Sequence, residues 1–412
     1  MLSAWPEAIQ LNNSQDRAYI ALEESGLDID DVSVPAAASQ LSNFVPTASQ
    51  CPDGFFADEV TLVVDSATGE VDAVISGDEC GVVGVDVTNS SNPTFIERIP
   101  IPFGMAEEVA VTRAANGNWI LYVASYWQGL QIFEVASDCD ASSCVVNPRG
   151  SIGVDNQWGA SLAIWVAVVS LPGVVPLQTV AYVASTEGLQ IVNVTNPDLP
   201  VFLGRLDTNP TNIPLEQLDD VPQDVVVSGG LAFVPLWIGG LMVVDVTNPG
   251  NLSEVQVPRF PATNNSAFFK AEVSSANNRV YVTDGIGGLA VFIQEEDGTL
   301  THDTNFPIGE GDGRCSFDVN GVSDVCWAWA IDEVGELVGV TYGVLGSPLG
   351  GGYQLISMPP NAPNGEPLKI LEAVPEPHAL LLQGIGVLAV AGLGRLRRKR
   401  RAPNPAGLRA SR

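Results

Sequence analysis

Residues 182–197 read YVASTEGLQIVNVTNP, and this pattern returns with drift along most of the chain. Residues 80–92 read CGVVGVDVTNSSN, 122–137 YVASYWQGLQIFEVAS, 233–249 FVPLWIGGLMVVDVTNP and 281–293 YVTDGIGGLAVFI. Each copy is a β-prone run, a glycine turn and a second β-prone run, usually closed by Asp/Asn-Val-Thr-Asn-Pro. Taking the glycine as a ruler gives Gly81, Gly129, Gly188, Gly240 and Gly288, at intervals of 48, 59, 52 and 48 residues. Such a period holds about four short strands of five or so residues with their turns. That is one propeller blade, and repeats of this length point to propellers, solenoids or arrays. Solenoid repeats are shorter, about 20–45 residues, and more regular than these.

The unit at 221–260 can be read strand by strand. Asp224–Ser228 is the inner strand, Gly229-Gly230 the turn, Leu231–Leu236 the second strand and Leu241–Val246 the third. Thr247–Gly250 forms an Asx or type I turn. The run 255–260 is the outer edge, where Pro258 is tolerated because an edge strand can lack a donor. The apolar runs are nearly continuous, as expected for strands covered on both faces by neighbouring blades. A degenerate sixth unit spans 327–358. The composition agrees, since 46% of residues are hydrophobic, 16% are charged, and Gly (41) and Pro (29) supply many turns. The reading is an all-β propeller of six four-stranded blades, with room for a seventh, over residues 55–358. Residues 1–54 read as a polar segment and linker with a short helix at 17–26. Residues 359–373 read as a Pro-rich linker.

The pattern Tyr-Val-Ala…Gly-Leu-x-Ile/Val-x-x-Val-Thr-Asn-Pro resembles the LVIVD repeat family of bacterial and archaeal surface proteins, over roughly residues 56–357. The resemblance implies an extracellular β-propeller. It implies no particular activity.

The net charge is −30, but residues 1–374 carry 47 acids against 10 bases, while the last 38 residues hold eight of the 18 bases. So acidic a body repels nucleic acid and anionic headgroups. Six cysteines lie in loop-like settings: Cys139 and Cys144, Cys315 and Cys326 as near pairs, and Cys51 with Cys80 by elimination. Short disulfides in an oxidising compartment are expected. Zinc is not, because there is no CxxC and only His302 and His378 are available.

The carboxyl end agrees with export. Residues 374–401 contain Pro375-Glu376-Pro377, an apolar run at 379–394 and the basic cluster Arg397, Arg398, Lys399, Arg400 and Arg401. The three parts, in this order, resemble a PEP-CTERM sorting signal. The resemblance implies recognition of the tripeptide by an exosortase, with release to the envelope or matrix after initial anchoring in the inner membrane. The apolar run would span about 24 Å as a helix, just short of a ~30 Å hydrocarbon core. The basic cluster would hold the tail 402–412 in the cytoplasm. An anchor that is never cut fits the same residues. Residues 1–10 lack the basic start and apolar core of a secretory signal peptide.

Catalytic motifs are scarce, with no GxSxG, HExxH, P-loop or Rossmann pattern in context. His302 sits in DGTLTHDTN and reads as a solvated loop residue. One constellation is worth weighing. Glu59, Glu108, Asp224 and Glu272 precede Val runs at the starts of inner strands, so they could converge at the channel mouth. Such carboxylates would suit Ca²⁺, or they could serve as hydrogen-bonded latches between blades. Trp127 and Trp237 lie in turns between second and third strands, where their rings could stack on sugars or pack between blades. The functional expectation is an exported envelope or matrix propeller that binds polysaccharide or envelope proteins, without catalysis. A secreted Ca²⁺-dependent, lactonase-like hydrolase is the alternative.

Overall fold

The computed structural model describes residues 5–375, apart from 66–67, 103, 127, 141, 154–162, 172–177, 186–187, 209–220, 257–258, 262–266, 275–277, 309–324, 346–350 and 358–368. It is an all-β wheel of seven sheets. Each sheet has four antiparallel strands taken in chain order, inner to outer. The blades are formed by residues 8–44, 59–99, 106–152, 163–206, 226–254, 268–306 and 325–375, blades 1 to 7. Each blade touches its successor near the axis, and blade 1 touches blade 7.

Among the described residues no core sits at the centre. The buried apolar side chains fall into seven clusters, each filling the space between two adjacent blades. In one, Tyr182, Ile191 and Val180 of blade 4 meet Val234, Met242 and Val244 of blade 5. This is why the second and third strands, such as Leu231–Leu236 and Gly188–Asn193, do not alternate: each has apolar neighbours on both faces.

The ruler glycines have a steric cause. Gly81, Gly129, Gly188, Gly240 and Gly288 all have positive φ. A Cβ on Gly188 would lie 2.3 Å from the carbonyl oxygen of Leu206 in the outer strand. Only glycine combines that backbone with that approach.

The same signature corrects the reading of the amino-terminal segment. Gly26 has φ +86°, and a Cβ there would lie 2.1 Å from the Phe44 carbonyl oxygen. Residues 17–31 are therefore no helix and linker but the second and third strands, Arg17–Ala21 and Leu27–Asp31, of a complete first blade. YIALEESGLDID matches YVASYWQGLQIF of blade 3 in register, Tyr19 to Gly26 as Tyr122 to Gly129, with acidic residues masking the likeness. At the other end, Lys369–Pro375 is the outer strand of blade 7, so part of the expected linker and the first proline of the tripeptide are paired into a sheet. In blade 5 the inner strand is shorter than expected, Val226–Ser228, and the outer edge is reduced to Ser253–Glu254 with a bridge from Leu241 to Phe260.

Among the described residues no strand is exchanged to close the ring; each four-stranded sheet takes its strands from one stretch of chain. Blades 7 and 1 are joined by packing and by buried hydrogen bonds. Leu11 N donates to Asp332 Oδ2 at 2.5 Å, and Tyr353 Oη donates to Asp30 Oδ2 at 2.6 Å.

The Asp/Asn-Val-Thr-Asn-Pro turn is a rim device. The side chains of Asp86, Asn193 and Asp245 each accept the amide of the threonine two residues on, at 2.9 Å. The turn then offers a carbonyl to the preceding blade. Ser42 Oγ donates to Ser90 O at 2.6 Å, and Gly150 N donates to Pro197 O at 2.7 Å. Arg149 strengthens one such contact, reaching Asp198 through Nε (2.5 Å) and Nη2 (2.7 Å) while also pairing with Glu134.

Cys51–Cys80 and Cys139–Cys144 are bridged. Cys326 is also disulfide-bonded; its expected partner, Cys315, lies outside the described residues. His302 sits on the outer strand Leu300–Phe306 rather than in a loop, with Nε2 2.6 Å from Asn305 Oδ1.

Candidate functional site at the channel mouth

Inner strands of a propeller run in the same sense, so their starts gather at one end of the channel. Three of the four sequence-predicted carboxylates meet there, around a lysine. Lys270 Nζ lies 2.7 Å from Glu59 Oε2 and 3.8 Å from Glu108 Oε1. Asp224 acts on the same ammonium electrostatically. Lys270 belongs to blade 6, Glu59 to blade 2 and Glu108 to blade 3. The pairing thus crosses the channel.

The registers explain why lysine was missed. Glu108 lies opposite Ala124, the penultimate residue of its partner strand. In blade 6 the penultimate residue of that strand is Thr283, whose Oγ1 accepts Lys270 N at 2.9 Å. Lys270, not Glu272, is therefore the blade 6 counterpart of Glu108. Glu272 pairs with Tyr281, two residues deeper. The Glu-Val pair that suggested alignment of Glu272 had slipped by one side-chain repeat across a bulge at 268–271.

Asp224 is a latch as well as a charge. Its Oδ1 accepts Val225 N at 2.7 Å and its Oδ2 accepts Ala271 N of blade 6 at 2.9 Å. Neighbouring latches repeat the idea with hydroxyls. Ser76 Oγ donates to Glu107 O at 2.8 Å, and Thr283 Oγ1 donates to Trp329 O at 2.9 Å.

The electrostatics follow from burial. Desolvation opposes the charge on Lys270, but Glu59, Glu108 and Asp224 outweigh it and hold the ammonium protonated. Burial pushes the Asp224 carboxyl up against the opposing pull of Lys270 and the two backbone amides. Glu272 is pushed well above the usual carboxylate range by burial, then by Asp332 and Asp224. Burial raises Asp332 to about 7, although Leu11 N donates to it. Among the described residues no group of three or more His, Cys, Asp or Glu side chains is arranged to hold a metal ion. The ammonium of Lys270 sits where a cation was expected.

Sequence reasoning also missed an aromatic shelf beside this centre. Phe269, next to Lys270 in the chain, packs against Trp237 of blade 5 at 5.2 Å between ring centroids. It also meets Trp327 and Trp329 of blade 7, at 5.7 and 4.4 Å. Phe269 is buried, whereas the three indoles are half-buried. Ile238 beside Trp237 is exposed. Trp127 lies outside the described residues.

Away from the axis, a cavity of about 50 Å³ lies between blades 2 and 3, lined by Val63, Asp72, Trp119 and the Cys139–Cys144 bridge among others. Burial, then Asp86, Glu70 and Asp65, raise Asp72 to about 7. The cavity has room for little more than water.

Comparison with known proteins places the fold rather than an activity. The family model of the LVIVD repeat matches residues 10–44, 180–208 and 222–257, which lie in blades 1, 4 and 5. Its match at 10–44 covers most of the blade that composition had concealed. Among solved structures, a protein from Lactobacillus plantarum is similar with a TM-score of 0.57 at 14% identity, covering 85% of this chain and 92% of that one. The computationally designed Ika8 protein is similar with a TM-score of 0.48 at 10% identity, over 91% of this chain and 87% of that one. No curated protein matches. The class is therefore a seven-bladed β-propeller bearing LVIVD repeats.

Proposed function

We propose that this chain is an exported, non-catalytic binding propeller of the cell envelope or extracellular matrix, trimmed by an exosortase. The observation that carries the non-catalytic reading is the commitment of the channel-mouth carboxylates. Glu59 and Glu108 pair with Lys270, and Asp224 accepts two backbone amides. A Ca²⁺-dependent hydrolase would need those oxygens as metal ligands. Disulfides in loops support an oxidising compartment. The resemblance of 374–401 to a PEP-CTERM signal supports envelope sorting, although Glu376, Pro377 and the basic cluster lie outside the described residues. Pro375 is the last residue of the last strand, so a cut beyond the tripeptide would leave all seven blades whole.

The test is fractionation of the native host with mass determination of the carboxyl end. An extracellular or envelope species that retains the blades and has lost residues beyond 377 is expected. The intact chain, accumulating in the cytosol with reduced cysteines, would overturn the proposal.

A further inference from the structure

We infer that the aromatic shelf of Trp237, Phe269, Trp327 and Trp329 is a binding site for an uncharged carbohydrate. This rests on the reading of the chain as a binding propeller and names its ligand class. Four rings drawn from three blades form one continuous cluster at the channel mouth. Inter-blade packing elsewhere is done mainly by aliphatic side chains with Tyr and Phe rings and, between blades 2 and 3, Trp119. A half-buried indole cluster exceeds what that packing needs. Indole faces present large rigid area to the C–H faces of a sugar ring.

The polar surroundings select among ligands. Trp327 Nε1 is buried and has no hydrogen-bond partner among the described residues. An N–H left so costs about 1–3 kcal/mol. A ligand oxygen entering beside Trp327 would relieve it; a simple organic cation has no acceptor to offer. Lys270, adjacent in sequence to Phe269, opposes a second cation. Glu59, Glu108 and Asp224 outnumber that lysine and oppose an anion. The unpartnered N–H suits a hydroxyl group, whose oxygen accepts without bringing a charge. The ligand left is neutral and polyhydroxylated.

The experiment is calorimetric titration of the purified, disulfide-intact full chain with neutral malto-, cello-, xylo- and chito-oligosaccharides. Tetramethylammonium and an oligogalacturonate serve as the charged arms. Binding of at least one neutral series is expected, with Trp329→Ala and Trp237→Ala each weakening it about tenfold, the worth of one stacked ring. Trp329→Phe should keep part of the affinity. If an alanine variant fails to fold, protection of wild-type tryptophan fluorescence from acrylamide by the bound sugar reads the same contact. Binding of either charged probe in preference to the sugars overturns the ligand class. Sugar binding that is unchanged in both alanine variants, or that gives no protection, overturns the site. No binding of any neutral series at 10 mM, on the order of the weakest affinities worth the name, overturns the inference. A chain that is exported and trimmed but binds no sugar would remove this inference alone; a sugar-binding chain kept in the cytosol would remove the export reading alone.

Discussion

The rim and the axis of this wheel are built from the same repeat, yet they hold carboxylates in opposite ways. At the rim, Asp31 and Asp245 are lowered by hydrogen bonds from Ser33 and Thr247, and Asp198 by Arg149. Around the axis, burial raises Asp332 to about 7 and also raises Asp224 and Glu272, and between the third strands of blades 1 and 7 it raises Asp30 to about 6. The rim acids serve the repeat, since each closes a turn that recurs in the next blade. The axial acids are desolvated, and a lysine that the repeat does not supply, Lys270, pairs with Glu59 and Glu108 and pulls on Asp224 alone of these four. Departure from the repeat, more than conformity to it, marks where something other than folding is being done.

The largest effect that would sharpen this contrast is expected from Lys270→Met. Removing one partner of a buried charge group typically costs about 3–5 kcal/mol. The loss should shrink in the double variant Lys270→Met/Glu59→Gln, which removes both members of the pair. Chemical denaturation of the two variants reads it. An equal loss in the single and the double variant would mean that Lys270 acts by packing.

At the rim, Gly188→Ala should cost about 2–4 kcal/mol, because a Cβ must fit 2.3 Å from the Leu206 carbonyl oxygen at φ +112°. An alanine variant as stable as the parent would show that the ruler glycines mark the blades without being needed by them.

The two regions predict opposite limbs of one pH profile. A raised carboxyl contributes stability that is full below its unfolded value near 4 and is lost as pH rises through its folded value. For Asp30 and Asp332 that window runs from about 4 to about 6 or 7. The depressed rim acids contribute above about 4 and lose their contribution as pH falls through their lowered values. The melting temperature should therefore peak near pH 4 and fall by about 2–6 °C toward pH 8. Asp332→Asn, which can still accept Leu11 N, should flatten the alkaline limb and leave the acid limb alone. The smallest effect is expected from Arg149→Ala. This half-exposed rim pair is worth about 1 kcal/mol or less and should fade in 1 M salt.

Much of the rim was legible in the sequence. Spacing of the glycines and the Asx turns defined blades 2 to 6 because both are local constraints that recur. Blade 1 was concealed by Glu23, Glu24, Asp28, Asp30 and Asp31, whose polarity looks like a linker until Gly26 is aligned with Gly188. Asp28 and Asp30 are buried all the same, with Gln40 and Tyr353 as hydrogen-bond donors. The axis was only half legible. Convergence of Glu59, Glu108 and Asp224 followed from strand order. Lys270 did not, since a bulge between Phe268 and Ala271 shifts the side-chain count by an amount that no periodicity records. The aromatic shelf joins residues 92 positions apart, from Trp237 to Trp329, and only the closed ring brings them together.

The most direct test of an axis filled by its own ammonium is the melting temperature of the wild-type chain at pH 7.5 in 5 mM EDTA against 5 mM CaCl₂, concentrations on the order of the weakest protein Ca²⁺ sites. With Lys270 in place the two melts should coincide within about 1 °C. Stabilisation by Ca²⁺ of several degrees, abolished in Glu59→Gln/Asp224→Asn, would contradict the account and make the channel mouth a metal site.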